Sequence, residues 1–483
     1  MKYANRPLSL LVAGALVVTL AGCSNSAVST LTASSAAGTV LSATESEFSL
    51  EGATAFTFTD SGISAAKGDY SGYSIDGTAL TISAAGTYAV SGSCADGSIT
   101  VKAGTENVTL ILNGLELTST TTAPIVCGKS TGVTIAVQSG TQNTLADTVA
   151  NNKDSENASA DAESAVLKCK DGAQVVLCGS GTLNISAAGK NGIKSGTENE
   201  GREASLTIRE LTLNIDAPVN DAVNAEQTLN VESGTLNISA GDDALHSDYT
   251  LNIGAEDTAG PTITISTCNE GLEGATLNVF SGTIDITATD DCLNAANGDL
   301  TNYDFSMNIS GGTVLAAGGS AGMGYTIDAL QGYVTYGSGM GADSTVRLSK
   351  DSAFAITDAS GNTVYSGTAL CDANYVFYCA QDVAADSDYT LTTGSTTLAT
   401  ATAQTGKSGA SFGGMGGGQN GMTPPDGANG QTPPAMNGSA PSGQAPDGQG
   451  GTPPEKPTGT PSGNPPQMPA QNNATSQAET AAG

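Results

Sequence analysis

Gly181 to Ser195 reads GTLNISAAGKNGIKS, and the phrase returns four times: LTLNIDAPVNDAVNA (211–225), GTLNISAGDDALHS (234–247), PTITISTCNEGLEG (261–274) and GTIDITATDDCLNA (282–295). Aligned on Thr182, Thr212, Thr235, Thr262 and Thr283, the steps between copies are 30, 23, 27 and 21 residues. Repeats of that length mark a solenoid, in which each unit is one coil that cannot bury its apolar face alone. Within TLNI the apolar residues alternate with Thr and Asn, a period of two that belongs to strands. Each phrase ends in a tight Asp/Asn/Gly corner, and most lead to another short strand such as TLNV (228–231), TLNI (250–253) or TLNV (276–279). Helical periodicity is absent, so the pattern predicts an all-β chain built as a parallel β-helix.

The repeat extends toward the N-terminus in ENVTLILNG (106–114), STGVTIAVQSG (130–140) and GAQVVLCGSG (172–181), which read as earlier coils without acidic corners. The solenoid domain is placed at 48–344. Residues 345–400, with SGNTVYSG and SDYTLTTG, break the period and read as a small β cap over the open coil edge, since bare edges invite aggregation. From 401 to 483 the chain turns to GGMGGGQNGMTPPDGANGQTPP and similar sequence, which cannot bury enough apolar surface to fold and is expected to be disordered.

At the other end, Lys2 and Arg6 precede an apolar run, Leu8 to Leu20, that closes in LAGC (20–23). The charged start and short apolar run make a signal peptide over 1–22, too short to span a bilayer. LAGC resembles the bacterial lipobox, which implies acylation of Cys23 and a lipid anchor outside the cytoplasm. Residues 23–47, rich in Ser, Thr and Ala, read as a flexible tether.

Composition narrows the function. With 47 acidic and 16 basic residues the formal net charge is −31, which excludes nucleic acid as a partner. Eight cysteines follow Cys23 without a CxxC pair, and His246 is the only histidine, so no zinc motif is present. Cys371 and Cys379 are a pair that an oxidising compartment could join. Trp is absent, which argues against an aromatic stacking platform for sugars.

Stacking the repeats turns their corners into columns. The first corner position holds Lys190, Asn220, Asp242, Asn269 and Asp290; the second holds Asn191, Asp221, Asp243, Glu270 and Asp291. Three residues beyond the second come Lys194, Asn224, His246, Glu273 and Asn294. Neighbouring coils lie ~4.8 Å apart, where like charges repel by about 0.9 kcal/mol at water's dielectric and about 3.5 kcal/mol at an effective value of 20. Lys and Arg hardly occur nearby, so the counter-charge expected is a bound cation, and an oxygen-only ligand set points to calcium. Asn184, Asn214, Asn237 and Asp285 form another column, expected to be a structural amide ladder.

GDDALHSD (241–248), NEGLEGATLNVFSGTIDITATDDCLNAANG (269–298) and the Gly/Met/Pro-rich tail resemble the bacterial lipoproteins known as carbohydrate-binding domain-containing proteins. That family is similar to family-nine pectate lyases in its right-handed β-helix, and the resemblance implies calcium together with a cellulose-like or acidic glycan. Carried over position by position, it implies metal ligation by Asp221, Asp242, Asp243, Glu270, Glu273, Asp290 and Asp291. The first coil departs from the pattern with Lys190 and Asn191, and GGSAGMG (318–324) carries no acid.

Three function classes stay open at this point. A binding module would hold an acidic polysaccharide such as polygalacturonate through calcium. A lyase would add a base to remove the proton beside the uronate carboxylate; Lys190 and Lys194 are the candidates. A scaffold or adhesin would only extend the solenoid from the membrane. The sequence favours the non-catalytic binder and leaves the oligomeric state open.

Overall fold

The TLNI phrases form strands because every second residue is apolar and β-branched or leucine. In Thr182–Ser186, Leu183 and Ile185 are buried while Thr182 and Asn184 stay half-exposed, and the same alternation runs through Thr212–Ala217 and Thr235–Ala240. In the computed structural model these strands pair in parallel with Thr182 opposite Thr212, Thr212 opposite Thr235, Thr235 opposite Thr262 and Thr262 opposite Thr283. These are the threonines on which the repeat aligns. The structure describes residues 48–66, 70–297, 300, 303–320, 326–337 and 346–409. All of them lie in Met1–Gly416, the first of two compact units. Cys23, the signal peptide, the tether and the chain beyond 409 lie outside the described residues.

Two further parallel ladders accompany the first. One runs through Ala165–Cys169, Asn191–Ser195, Val223–Ala225, the start of Leu245–Ile253, the start of Leu272–Val279 and Leu293–Asn294. The other runs through Gln174–Cys178, Ser205–Ile208, Thr228–Val231, the ends of Leu245–Ile253 and Leu272–Val279, and Ser306–Ile309. Through the repeats, a strand typically pairs with the one three places on, so the sheet is long and rich in parallel pairs. The inward residues of all three ladders, among them Leu183, Ile193 and Leu206, join one buried cluster. Each such Leu or Ile contributes about 1.5–3 kcal/mol by burial. Among the described residues, helix is confined to two short turns, Tyr70–Gly72 and Val149–Asn151.

Outward-facing amides bond along the stack. Asn214 Nδ2 donates to Asn184 Oδ1 and Asn237 Nδ2 to Asn214 Oδ1, each at 2.8 Å. Here the column departs from expectation: Thr264 stands opposite Asn237, and Asp285 instead accepts a hydrogen bond from the Tyr365 hydroxyl at 3.1 Å. Threonine brings no carboxamide to that position, so the amide chain stops at Asn237. A second ladder, not read from the sequence, is longer: Asn252 donates to Asn230, Asn278 to Asn252 and Asn308 to Asn278 at 2.8–2.9 Å.

The parallel stack ends where Tyr375–Cys379 pairs antiparallel with Thr313–Ser320 and Thr326–Tyr336. A separate four-stranded antiparallel sheet, Ala353–Thr357, Thr363–Thr368, Asp388–Thr393 and Thr396–Thr402, packs Phe354, Ile356 and Leu391 into a second core shared with Leu315, Val334, Val376 and Tyr378 of the main sheet. Of the residues counted above with the disordered tail, 401 and 402 end the strand Thr396–Thr402, and Gln404–Gly409 forms a further strand that pairs antiparallel with Thr326–Tyr336 and supplies partners to an otherwise open edge. Cys371 and Cys379 are free thiols, one bonded to the Ala288 carbonyl and the other beside Gln331.

Candidate metal centre

The acidic corners link the first ladder to the second, and backbone hydrogen bonds set their register. The N–H groups of Gly192, Ala222, Ala244 and Gly271 donate to the carbonyls of Asp221, Asp243, Glu270 and Asp291 in turn, at 2.9–3.0 Å. Those four acids therefore occupy one position in successive repeats. The small residue after each acid permits the close approach: a Cβ added at Gly271 would sit 2.3 Å from the Cys292 carbonyl oxygen. In the next column Asn224 stands opposite His246, His246 opposite Glu273, and Glu273 opposite Asn294.

His246 lies where the two columns meet. Its Nδ1 is 2.6 Å from Glu273 Oε2 and 3.0 Å from Asp243 Oδ2, and its Nε2 is 2.8 Å from Asp248 Oδ1. Burial alone would lower the imidazole's affinity for a proton, but the bonds to Asp243, Asp248 and Glu273 push its pKa up to about 12. Beside the cation expected from the sequence, the chain's single histidine supplies counter-charge from within, hydrogen-bonded to Asp243, Asp248 and Glu273. The sequence carried the signal in GDDALHSD, with acids three positions before the histidine and two after it.

One imidazolium does not neutralise the corner. Asp243 is 8% exposed, and its carboxyl is raised by burial and by Glu273, against the opposing pull of His246. Asp221, 3% exposed, is pushed up to about 6 by burial and by Asp243, although its Oδ2 accepts from Asn224 Nδ2 at 2.6 Å and its Oδ1 from the Asp243 N–H at 3.2 Å. Glu270 is pushed up to about 7 by burial, with Asp243, Asp291 and Asp290 adding repulsion and Asn294 Nδ2 donating at 2.7 Å. Asp291 accepts a hydrogen bond from Ser320. Among the described residues no lysine or arginine forms an ion pair with Asp221, Asp243, Glu270 or Glu273; the ion pairs of Asp243 and Glu273 are with His246.

The sequence-derived residues thus divide. Asp221, Asp243, Glu270, Glu273 and Asp291 come together around His246 and Asn294. Asp242 and Asp290 stand in the outer row, where Asp290 is exposed. Lys190 is bound to Asp154 Oδ2 at 2.5 Å, and Lys194 to Glu226 Oε1 at 3.0 Å and Asn224 Oδ1 at 3.2 Å. One ligand atom each from Asp243, His246 and Glu273 lies within 4.8 Å of the others, a grouping able to hold a metal ion. His246, Asp248, Asn224 and Asn294 are the partners that the sequence reading left without a role.

A solved structure titled polysaccharide lyase-like protein from C. thermocellum, as a gadolinium derivative, is similar at 19% identity over 56% of this chain and 92% of that chain, with a TM-score of 0.36. No curated protein matches the chain. Residues 76–406, with the three ladders and the acidic corner inside them, match the family model described as carbohydrate-binding domain-containing protein, and the chain belongs to that family.

Proposed function

We propose that the protein is a cell-surface lipoprotein, anchored through Cys23, that binds polysaccharide without cleaving it, and that calcium at the acidic corner carries part of the contact. On this reading the three ladders wind as a right-handed parallel β-helix. The polysaccharide follows from the family, and an acidic glycan of the polygalacturonate type is preferred over a cellulose-like one because its carboxylates can share the metal.

The observation that carries the reading is the side of the corner that His246 does not reach. There Asn294 donates to Glu270, and the Glu270 carboxyl is pushed up to about 7, first by burial and then by repulsion from Asp243, Asp291 and Asp290. Hard carboxylate and amide oxygens in that number suit calcium, which accepts 6 to 8 of them in flexible geometry. Glu270, Asp291 and Asn294 would hold the ion, with Asp290 reaching in from the outer row. At the other side of the corner, Asp243, His246 and Glu273 can take a metal only if the imidazole gives up its proton. Lys190 and Lys194 are committed to Asp154 and Glu226, which supports binding over elimination.

Calcium titration by calorimetry, followed by retention on polygalacturonate with and without calcium, tests the reading. Saturable calcium heat and calcium-dependent retention without a rise in ultraviolet absorbance from unsaturated products are expected. Absence of calcium heat rejects the metal, and accumulation of unsaturated products rejects the non-catalytic assignment.

A further inference from the structure

The column that carries His246 and Glu273 begins with lysines. Lys168 lies in Ala165–Cys169 between Leu167 and Cys169, both fully buried, so its side chain faces outward. Its register partner on the next coil is Lys194, followed by Asn224, His246, Glu273 and Asn294. Two ammonium groups thus stand on neighbouring strands ~4.8 Å apart, in a chain with a formal net charge of −31.

Among the described residues no ion pair is made by the first of them. Lys194 is held by Glu226 and Asn224. Lys168 forms neither an ion pair nor a hydrogen bond with a described residue, and the acids whose charge reaches it, Glu226 and Glu163, already pair with Lys194 and with Lys170 at 2.5 Å. Half-buried, Lys168 has its affinity for a proton lowered by burial and by Lys194. A half-buried cation beside a like charge is stabilised by an anion that takes its three unused donors.

We propose that Lys168, with the remaining donor of Lys194, forms an anion subsite that takes a carboxylate of an acidic glycan laid along this column. The inference rests on the acidic-glycan reading above and adds to it a contact that needs no metal. Lys194 and Glu273 are three coils apart, about 14 Å along the stack, so one chain crossing both meets ammonium groups at one end and the metal-binding corner at the other. Such a ligand must run in the direction in which the coils stack.

Affinity electrophoresis of the full chain through polygalacturonate and through fully methyl-esterified pectin, in chelator and in millimolar calcium, tests this. In chelator the wild type should be retarded by polygalacturonate, less so as salt rises, and not by the methyl ester. Lys168→Ala should weaken that retardation about tenfold and Lys168→Arg should keep it; the melting temperature of Lys168→Ala should equal or exceed that of the wild type, because a like-charge contact is lost. Equal retardation of wild type and Lys168→Ala in chelator, or none for the wild type, overturns the subsite. If calcium then restores retardation, the metal-borne reading stands without it. If retardation in chelator depends on Lys168 while calcium gives no heat, the subsite stands and the metal reading falls.

Discussion

The amide ladders and the acidic corner are built on the same parallel strand spacing, yet only the ladders complete themselves. In the ladder Asn230, Asn252, Asn278 and Asn308 the two inner carboxamides each donate to the one before and accept from the one after, and Asn230 donates on to the Thr207 hydroxyl. In Asp221, Asp243, Glu270 and Asp291 each ionised carboxylate can only accept. Stacking one residue type is therefore stabilising where the side chain is both donor and acceptor. Where it is acceptor alone, the stack requires donors or cations from elsewhere. The corner takes some from Asn224, His246, Asn294 and Ser320, and the surplus negative charge is what the proposed calcium would offset.

The largest effect follows from removing the one internal cation. His246→Ala leaves the buried Asp243 and the half-buried Glu273 without their partner, and breaking a buried pair in this way costs about 3–5 kcal/mol. Urea denaturation in chelator should show that loss, and millimolar calcium should restore part of it by filling the same space. A variant as stable as the wild type in chelator would mean that the imidazolium is not what holds the corner together.

Turning a rung of the ladder into a rung of the corner is the converse change. Asn252→Asp removes the donor to Asn230 and places a carboxylate where Asn278 can still donate, so about 1–3 kcal/mol should be lost, the cost of leaving a part-buried acceptor unsatisfied. Asn252→Ala should cost at least as much, because it leaves both Asn230 Oδ1 and Asn278 Nδ2 without a partner. Melting temperatures of both variants equal to that of the wild type would show that the ladder is held by its strands and not by its amides.

How much of this was legible in the sequence depends on whether a feature is set by register or by side-chain direction. Register follows from the repeat: the threonine alignment places Asn224, His246, Glu273 and Asn294 in one column, and the ladder pairs them in that order. Direction does not. That Asp243, Asp248 and Glu273 all turn toward His246 depends on rotamers at positions three before, two after and 27 after it, which no alignment displays. Asp285 shares the register of the amide column but is drawn off by Tyr365, 80 residues later in the chain and part of a different sheet. The pairing of Gln404–Gly409 was hidden for another reason: its composition resembles the tail, and its strand exists because an edge was there to receive it.

The smallest expected change is also the one that discriminates best between an empty and an occupied corner. Glu270→Gln keeps the shape and one carbonyl oxygen while removing a charge that Asp243, Asp291 and Asp290 all repel. In chelator it should stabilise the protein by about 1 kcal/mol at pH 7, the scale of one relieved like-charge contact. The pH dependence has a definite sign. A carboxyl whose folded pKa is raised to about 7 contributes stability that is fully present below its unfolded value, near 4.3, and is lost as pH rises through 7. Asp221, raised to about 6, behaves likewise, so the chelated wild type should become less stable from pH 4.5 to 7. Glu270→Gln should flatten part of that slope. With calcium bound the order inverts: the ion requires an ionised Glu270, so the wild type should gain stability over the same range and the glutamine variant should fall below it. Melting curves at pH 5 and 7, with and without calcium, give all four comparisons; a glutamine variant that stays above the wild type in calcium at pH 7 removes Glu270 from the metal site.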